Sequence, residues 1–472
     1  MKWLIKLGLC LGVSFGLHAG VSAMTVEEFN AYKQPGLDKA VINFADIHPL
    51  IEQHKQNPMF AFTQLGQSLQ GTPIYQIKMG HGETKVFAWS QMHGDEPTAT
   101  AAVFDLLKYI SDDAQSEWRE SWMEHITLYI IPMVNPDGAA VNTRVNAQGI
   151  DINRDALALQ SPEGRILMDA AKRIQPHYGF NLHDQNRFHA AGAAKNPATI
   201  SLLAPAYNEA RDINESRKRA MQLIAYIKPL IDAEIPNHLG RYNDAYSIRS
   251  FGDTFSSMGI STVLVESGGH RGDDNRQVAR RLNFMMYIKW LDAIADGSYR
   301  TADVADHDAI PFNQRGMKDV VISNVTLTLN QQPALVDVAF ELDIYGSSGQ
   351  ARIDDIGDLS IFGGYHTFDA EGLHYLPGKA FELTETLRLT TEQYMTMLRD
   401  GYSHFTGDAA LLDSQTDLPV LLNPQRRVPA EQLVRQRSAT FLLQDEQGVQ
   451  YAVVNGQVIN TQTADVLYPF GT

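Results

Sequence analysis

The chain has 472 residues, 44% of them hydrophobic, and carries 39 basic against 55 acidic side chains for a formal net charge of −16. That balance argues against nucleic acid and anionic membrane surfaces as partners, and a single cysteine rules out a fold stapled by disulfides. The length suffices for two domains and a sizeable core.

Residues Met1 to Ala23 begin with Lys2 and Lys6, run through the apolar stretch Leu7 to Leu17 and end in Val21-Ser22-Ala23, the layout of a secretory signal peptide. The stretch is too short to span a bilayer, and no later run of about 20 apolar residues occurs. The expected mature chain is therefore exported, periplasmic or secreted, with no transmembrane segment. Lipidation at Cys10 is the alternative, but Leu9 stands where a lipoprotein would carry a small residue. Loss of the leader removes the only thiol and two lysines, taking the net charge from −16 to −18.

Gln64 to Ile77 reads as two strands joined across Leu69-Gln-Gly71, an antiparallel edge hairpin. From Lys85 to Ser90, and again over Ile126 to Ile131, the apolar runs are nearly continuous, as expected of strands covered on both faces. Val103, Leu106, Leu107 and Ile110 then fall at helical spacing, as do Val278, Leu282 and Met285 near the end of the same region. Strands alternating with helices predict an α/β fold, a mixed and mainly parallel sheet flanked by helices.

The polar residues fall on this frame in a pattern. His93 and Glu96 follow one strand, Asn135-Pro-Asp-Gly138 follows another, His183 ends Tyr178 to Leu182, and Glu266 ends Ser261 to Val265. Four strands thus deliver such residues at their carboxyl ends, the edge where open α/β sheets bind ligands. A His and a Glu three residues apart are common by chance, and a lone His183 is more often a satisfied core or loop residue than a ligand. Their convergence favours a metal, since zinc takes imidazole nitrogen and carboxylate oxygen at about 2.0–2.2 Å.

Six elements taken together resemble the zinc metallocarboxypeptidases of the carboxypeptidase A type: Gly66-Gln-Ser-Leu-Gln-Gly71, His93-Gly-Asp-Glu96, Asn135-Pro-Asp-Gly138, Arg144 to Arg154, His183, and Val263-Leu-Val-Glu-Ser-Gly-Gly269. The resemblance covers roughly residues 60 to 295. It implies one Zn2+ per chain held by His93, Glu96 and His183, with Asp151 orienting the ring of His93. It further implies Arg144 polarising the scissile carbonyl, Asn153 and Arg154 gripping a substrate's C-terminal carboxylate, and Glu266 as general base. Of two candidates for the substrate-covering tyrosine, Tyr246 is preferred over Tyr242.

The chain departs from the family pattern at Asp155, where Asn is usual, and at Asp184, where Ser is usual; both add acid near the site. Arg249-Ser-Phe-Gly-Asp253 lies where the side-chain specificity pocket would be and names no preferred terminal residue. From Thr301 the character changes. Asp319 to Leu329, Ala334 to Ile344, and Gln450 to Ile459 with its Asn455-Gly456 turn alternate and are β-branched, predicting a β-rich accessory domain over 301–472 after a catalytic domain over 24–300. There Asp354, Asp355, Asp358, His366 and His374 read as solvated loop residues rather than a second metal site.

Three function classes follow. The first is an exported zinc carboxypeptidase acting on a peptide with a free C-terminal carboxylate, a cell-wall peptide being one candidate. The second is an amidohydrolase of the succinylglutamate desuccinylase and aspartoacylase type, acting on small N-acyl amino acids. The third is a catalytically dead binding protein. The complete set of ligands and base disfavours the third; the Asn135–Gly138 turn, the long Arg144–Arg154 element and the leader favour the first.

Overall fold

The computed structural model describes residues 24–342, 351–424, 429 and 432–467; the leader, Cys10 and the end of the expected Ala334 to Ile344 strand lie outside the described residues. β1 (Ala61–Gln67), β2 (Pro73–Met79), β3 (Thr84–Ser90), β4 (Ile126–Ile131), β5 (Tyr178–Asp184), β7 (Ile200–Leu203), β8 (Leu239–Arg241) and β9 (Ser261–Ser267) form one sheet, while the short β6 (His189–Ala191) lies outside it. The order is β1-β2-β4-β3-β5-β9-β7-β8. The four central strands β4, β3, β5 and β9 run parallel, whereas β2 meets β4 and β7 meets β9 antiparallel. The edge hairpin is β1 against β2.

Continuous apolar strands follow from this layering, because successive residues serve opposite faces. Val86 and Ala88 of β3 pack with Phe180 and Leu182 of β5 under the Thr98–Ser111 and Gln277–Asp296 helices. Phe87 and Trp89 point the other way, to the Pro162–Ile174 and Phe251–Ser257 helices. Asn181 and His183 of β5, and Leu264 and Glu266 of β9, share that second face. The Thr98–Ser111 helix is buried well beyond its predicted stripe of Val103, Leu106, Leu107 and Ile110: Phe104, Tyr109 and even Asp105 are enclosed. Its outer side is covered by the N-terminal segment and by the Gln277–Asp296 helix.

Asp105 is the polar knot of that packing. Its carboxylate accepts Arg280 Nε and Nη2, each at 2.7 Å, and the Gln34 N–H at 2.6 Å, while Arg280 also donates to the Leu37 carbonyl at 2.8 Å. Asp105→Ala would strand a buried guanidinium, a loss of about 3–5 kcal/mol. The expected result is a fall of at least about 5 °C in thermal midpoint; a midpoint within 1 °C of wild type would show that the pair does not hold the N-terminal segment.

The second sheet begins later than residue 301. Tyr299 and Ile310 belong to the core of the first sheet, and Val304–Asp308 is a helix packed on Glu215–Glu234. β10 (Asn313–Arg315) pairs with β6, and the next strand, β11 (Met317–Leu329), opens the β-rich region, so the change of sheet falls at residues 311–317. β12 (Gln332–Glu341), β13 (Arg352–Gly357), β14 (Gly363–Asp369), β15 (His374–Leu376), β20 (Phe441–Asp445), β21 (Gly448–Val454) and β22 (Gln457–Asn460) complete its sheet. Between β15 and β20, β16 (Lys379–Leu383) pairs with β18 (Tyr402–Gly407) and β17 (Leu387–Leu389) with β19 (Leu412–Ser414); the Thr391–Arg399 helix packs with them. The expected late hairpin turns on Asn455 and Gly456, whose φ values of 49° and 81° suit a tight two-residue connection.

Asp354 and Asp355 are strand residues of β13, paired with Lys318 and Arg435, and His366 and His374 lie on β14 and β15. These four are ion-paired or strand-borne rather than loop residues, whereas Asp358 is an exposed loop residue as expected, and the five form no metal cluster among the described residues.

Candidate active site

His93, Glu96 and His183 converge although β3 and β5 separate them in sequence. β3 and β5 are parallel neighbours, so their carboxyl ends deliver both histidines to one edge. Gly94 permits the approach: a Cβ there would stand 2.1 Å from the backbone carbon of Gly138, so the first motif packs directly on the Asn135–Gly138 turn. That turn is fixed by Asn135 Oδ1, which accepts the Gly138 N–H at 2.9 Å, and by Asp137, which accepts Ser68 Oγ at 2.6 Å and the Gln70 N–H at 3.0 Å. The Gly66–Gly71 motif and the Asn135–Gly138 motif therefore form one structural joint beneath the site.

Within the site, His93 Nδ1 and His183 Nδ1 lie 3.2 Å apart and face opposite oxygens of Glu96 at 2.8 and 2.7 Å. These atoms all lie within 4.8 Å of one another, and all three residues are buried. Two imidazole nitrogens aimed at each other repel unless a proton or a cation stands between them, and with the carboxylate they make a donor set that zinc accepts. His93 Nε2 is 3.0 Å from Asp151 Oδ1, an arrangement that keeps the proton on Nε2 and frees Nδ1 as a ligand.

Charge in the site follows from this packing. Burial pushes the Glu96 carboxyl up, but His93 and His183 outweigh it and hold it well below the carboxylate range. Burial lowers His93, yet Glu96 and Asp151 reverse this and leave it raised, whereas in His183 burial prevails over Glu96. Asp151, despite burial, is held down by His93 and by Arg144, whose Nε lies 3.0 Å from it. Arg144 also places Nη1 at 3.2 Å from Glu96, with its side chain 45% exposed at the cleft.

Asn153 and Arg154 occupy a short helical turn capped by Asp151. The Asn153 side chain accepts the Phe251 N–H at 3.0 Å, and Arg154 Nη1 donates to the Asn153 carbonyl at 2.7 Å and to Ser250 Oγ at 3.2 Å. No described carboxylate pairs with Arg154, leaving its remaining N–H groups to the cleft. Glu266 stands directly opposite His183 in the β5–β9 register. No described group hydrogen-bonds its carboxylate, and burial, with Glu96 and Asp184 adding repulsion, raises it well above the carboxylate range.

His93, Glu96, Arg144, Asn153, Arg154, His183 and Glu266 line one cleft of about 660 Å³. Tyr242 lines it and Tyr246 does not. The Tyr242 N–H bonds to the Leu202 carbonyl at 3.0 Å at the end of β8, and its ring meets His189 edge-on, which fixes it at the wall. Burial, with Glu266 nearby, pushes the Tyr242 hydroxyl up to about 12. Asp155 faces away from the cleft, accepting the Gln160 and Ser161 N–H groups at 2.8 Å each, so it stabilises a loop rather than adding charge to the pocket. Asp184 does line the cleft, raised by burial to about 6 although Arg276 Nη1 sits at 3.0 Å. Asp253 also lines it, likewise pushed up to about 6 by burial. Asn181, Arg187 and Arg276 were not legible as site residues; Asn181 has the His183 parity on β5, the one available signal, while the arginines are placed by distant partners.

Residues 49–197 match the family model described as zinc carboxypeptidase. Carboxypeptidase SOL1 of Arabidopsis thaliana is 27% identical over 136 residues, covering 25% of this chain and 28% of that protein. Carboxypeptidase 2 of Trichophyton tonsurans is 26% identical over 132 residues, 28% of this chain and 24% of that protein. The chain thus spans about a quarter of the length of these curated relatives. Among solved structures, a metallo-carboxypeptidase from Burkholderia cenocepacia is 18% identical with a TM-score of 0.46, over 55% of this chain and 70% of that one. The matched stretch contains the three candidate ligands, Arg144, Asp151, Asn153 and Arg154, and stops before Tyr242 and Glu266.

Proposed function

We propose, from the match of residues 49–197 to the zinc carboxypeptidase family model, that this protein is an exported carboxypeptidase. It would hydrolyse the last peptide bond of a substrate bearing a free C-terminal carboxylate, using one zinc per chain and Glu266 as general base. The observation that carries the reading is the juxtaposition of His93, Glu96 and His183 with Glu266 on one side, which no described group hydrogen-bonds, and on the other Arg154, which forms no ion pair with a described carboxylate. Export rests on the leader sequence alone; no helix among the described residues is long and apolar enough to cross a membrane.

Each protein group has a task that its surroundings suit. Zinc held by the three ligands would supply Lewis acidity toward the carbonyl and lower the pKa of a water to about 7. Glu266, hydrogen-bonded by no described group and raised by burial, accepts the proton of the attacking water and returns it to the departing amine. Arg144 presents a guanidinium where the carbonyl oxygen gains charge, the kind of placement that contributes about 3–4 kcal/mol to transition-state binding. Arg154, steadied by Ser250 and the Asn153 carbonyl, grips the terminal carboxylate. Asp151 holds the ring of His93 and one side of Arg144 together.

The discriminating experiment is a C-terminal trimming assay with mass detection on peptides, muropeptides and N-acyl amino acids. Sequential loss of C-terminal residues is expected; cleavage of acyl amino acids alone would replace this reading with the deacylase one. A matched free-acid and C-terminally amidated substrate then tests Arg154. Arg154→Ala should cost the free acid about 1.5–3 kcal/mol, some 10- to 100-fold in kcat/KM, because a charged hydrogen bond is lost. The slow cleavage of the amide should hardly change. Equal losses on both would remove Arg154 from carboxylate recognition.

A further inference from the structure

Beyond β5 the chain turns through Gln185, Asn186, Arg187 and Phe188, and this turn is held from the β-rich region. The Arg187 guanidinium sits on Asp319 with Nε at 2.7 Å and Nη2 at 2.9 Å, and Nη2 also donates to the Leu342 carbonyl at 2.8 Å. The Arg187 carbonyl accepts the Tyr365 hydroxyl at 2.8 Å. The Phe188 carbonyl accepts the N–H groups of Gly316 and Met317 at 3.0 and 3.1 Å. Asp319 is only 4% exposed, so this forked pair is an enclosed post and not a loose surface contact.

The same turn faces the cleft. Asn186 and Arg187 line it, and Asn186 is exposed; its Oδ1 is taken by the Phe188 N–H at 2.9 Å, while its Nδ2 meets no described protein group. The direction of β5 says which part of a substrate meets this wall. Asn181 lies beside Gly252, where a Cβ would stand 3.4 Å from Asn181 Nδ2, close to Ser250 and hence to Arg154. His183 is about 7 Å further along the strand on the same face, at about 3.3 Å per residue, and the 185–188 turn lies beyond it. A peptide with its terminal carboxylate at Arg154 and its scissile carbonyl at the His93–Glu96–His183 centre therefore sends its preceding residues onto that turn.

We propose that the β-rich region braces the cleft from behind, with Asp319 and Tyr365 acting through Arg187 to position the wall that receives the peptide on the amino side of the scissile bond. This rests on the carboxypeptidase reading and gives the β-rich region a part in it. Binding energy from residues remote from the reacting bond is what such a wall supplies, so its loss should appear in long substrates and not in minimal ones.

The test compares a blocked dipeptide with a pentapeptide ending in the same two residues, using the full-length wild type, Asp319→Asn and Tyr365→Phe. Each variant is expected to lose about tenfold in kcat/KM on the pentapeptide, carried by KM, corresponding to one lost contact of about 1.4 kcal/mol. Change on the dipeptide should stay within about twofold, with zinc content equal to that of wild type, because the variants leave the reacting centre intact. Equal losses on both substrates, or none on either, would overturn the proposal. Should Asp319→Asn fail to fold, Tyr365→Phe, which keeps the ring and removes one hydroxyl, decides the matter alone. A wild type that trims neither substrate would instead remove the carboxypeptidase reading itself.

Discussion

Glu266→Gln is expected to keep its zinc and its fold while losing about 10²–10⁴-fold in kcat, the range contributed by a positioned general base. The amide is isosteric but cannot accept the proton of the attacking water. The alternative, a structural ion pair at a strand end, finds no direct contact, because no described group hydrogen-bonds the Glu266 carboxylate; Glu96 and Asp184 repel it, and the attraction of Arg144 and Arg276 does not offset them and its burial. A buried carboxylate at the cleft beside like charge is the candidate for the proton-transfer role proposed above. The measurement is kcat and zinc content on the purified variant. A kcat within tenfold of wild type, with normal zinc, would remove Glu266 from the reaction.

Metal removal is the second large effect. Dialysis against a chelator should reduce activity to below about a hundredth, and one equivalent of zinc should restore it, since zinc supplies several kcal/mol of charge stabilisation at the carbonyl. A readout independent of turnover exists, because a ligand that binds only the folded state at 1,000 times its Kd adds about 4 kcal/mol of stability. His93 and His183 bring their Nδ1 atoms to 3.2 Å with Glu96 between them, so the metal-free protein should melt at a lower temperature and zinc should reverse the shift. Full activity in protein containing less than about a tenth of an equivalent of zinc would end the assignment. A chelated protein that melts as before would show that the three side chains hold no ion tightly.

Local chemistry made much of this site readable in one dimension. His93 and Glu96 stand three residues apart after a strand, and the family resemblance of the Arg144 to Arg154 element pointed to Asp151, Asn153 and Arg154, which the structure places in one short capped turn. The two-faced strands were legible for a similar reason: Val86 and Phe87 are both apolar because one sheet has a helical layer on each side. Features that depend on chain reversal were not readable. Tyr242 and Tyr246 are equivalent in composition and close in sequence, and only the end of β8, with the Tyr242 N–H on Leu202, carries one of them to the wall. Asp155 looked like a pocket charge because it follows Arg154, but its side chain turns back to the Gln160 and Ser161 amides.

By itself, then, the sequence determined which residue types stand at the carboxyl ends of which strands, and so the chemistry available: two imidazoles, a carboxylate, two arginines and a separate buried acid. Periodicity places the imidazoles and carboxylates at strand ends because it depends on neighbours within a few residues, while the two arginines were read from the family resemblance of the Arg144 to Arg154 element. Only the tertiary structure decided that Arg187, with no motif around it, would line the same cleft. Its position is set by Asp319, 132 residues away, through a pair enclosed between two sheets. No local pattern carries such a contact, since the partner's distance in sequence is fixed by how the two sheets dock and not by the period of either strand.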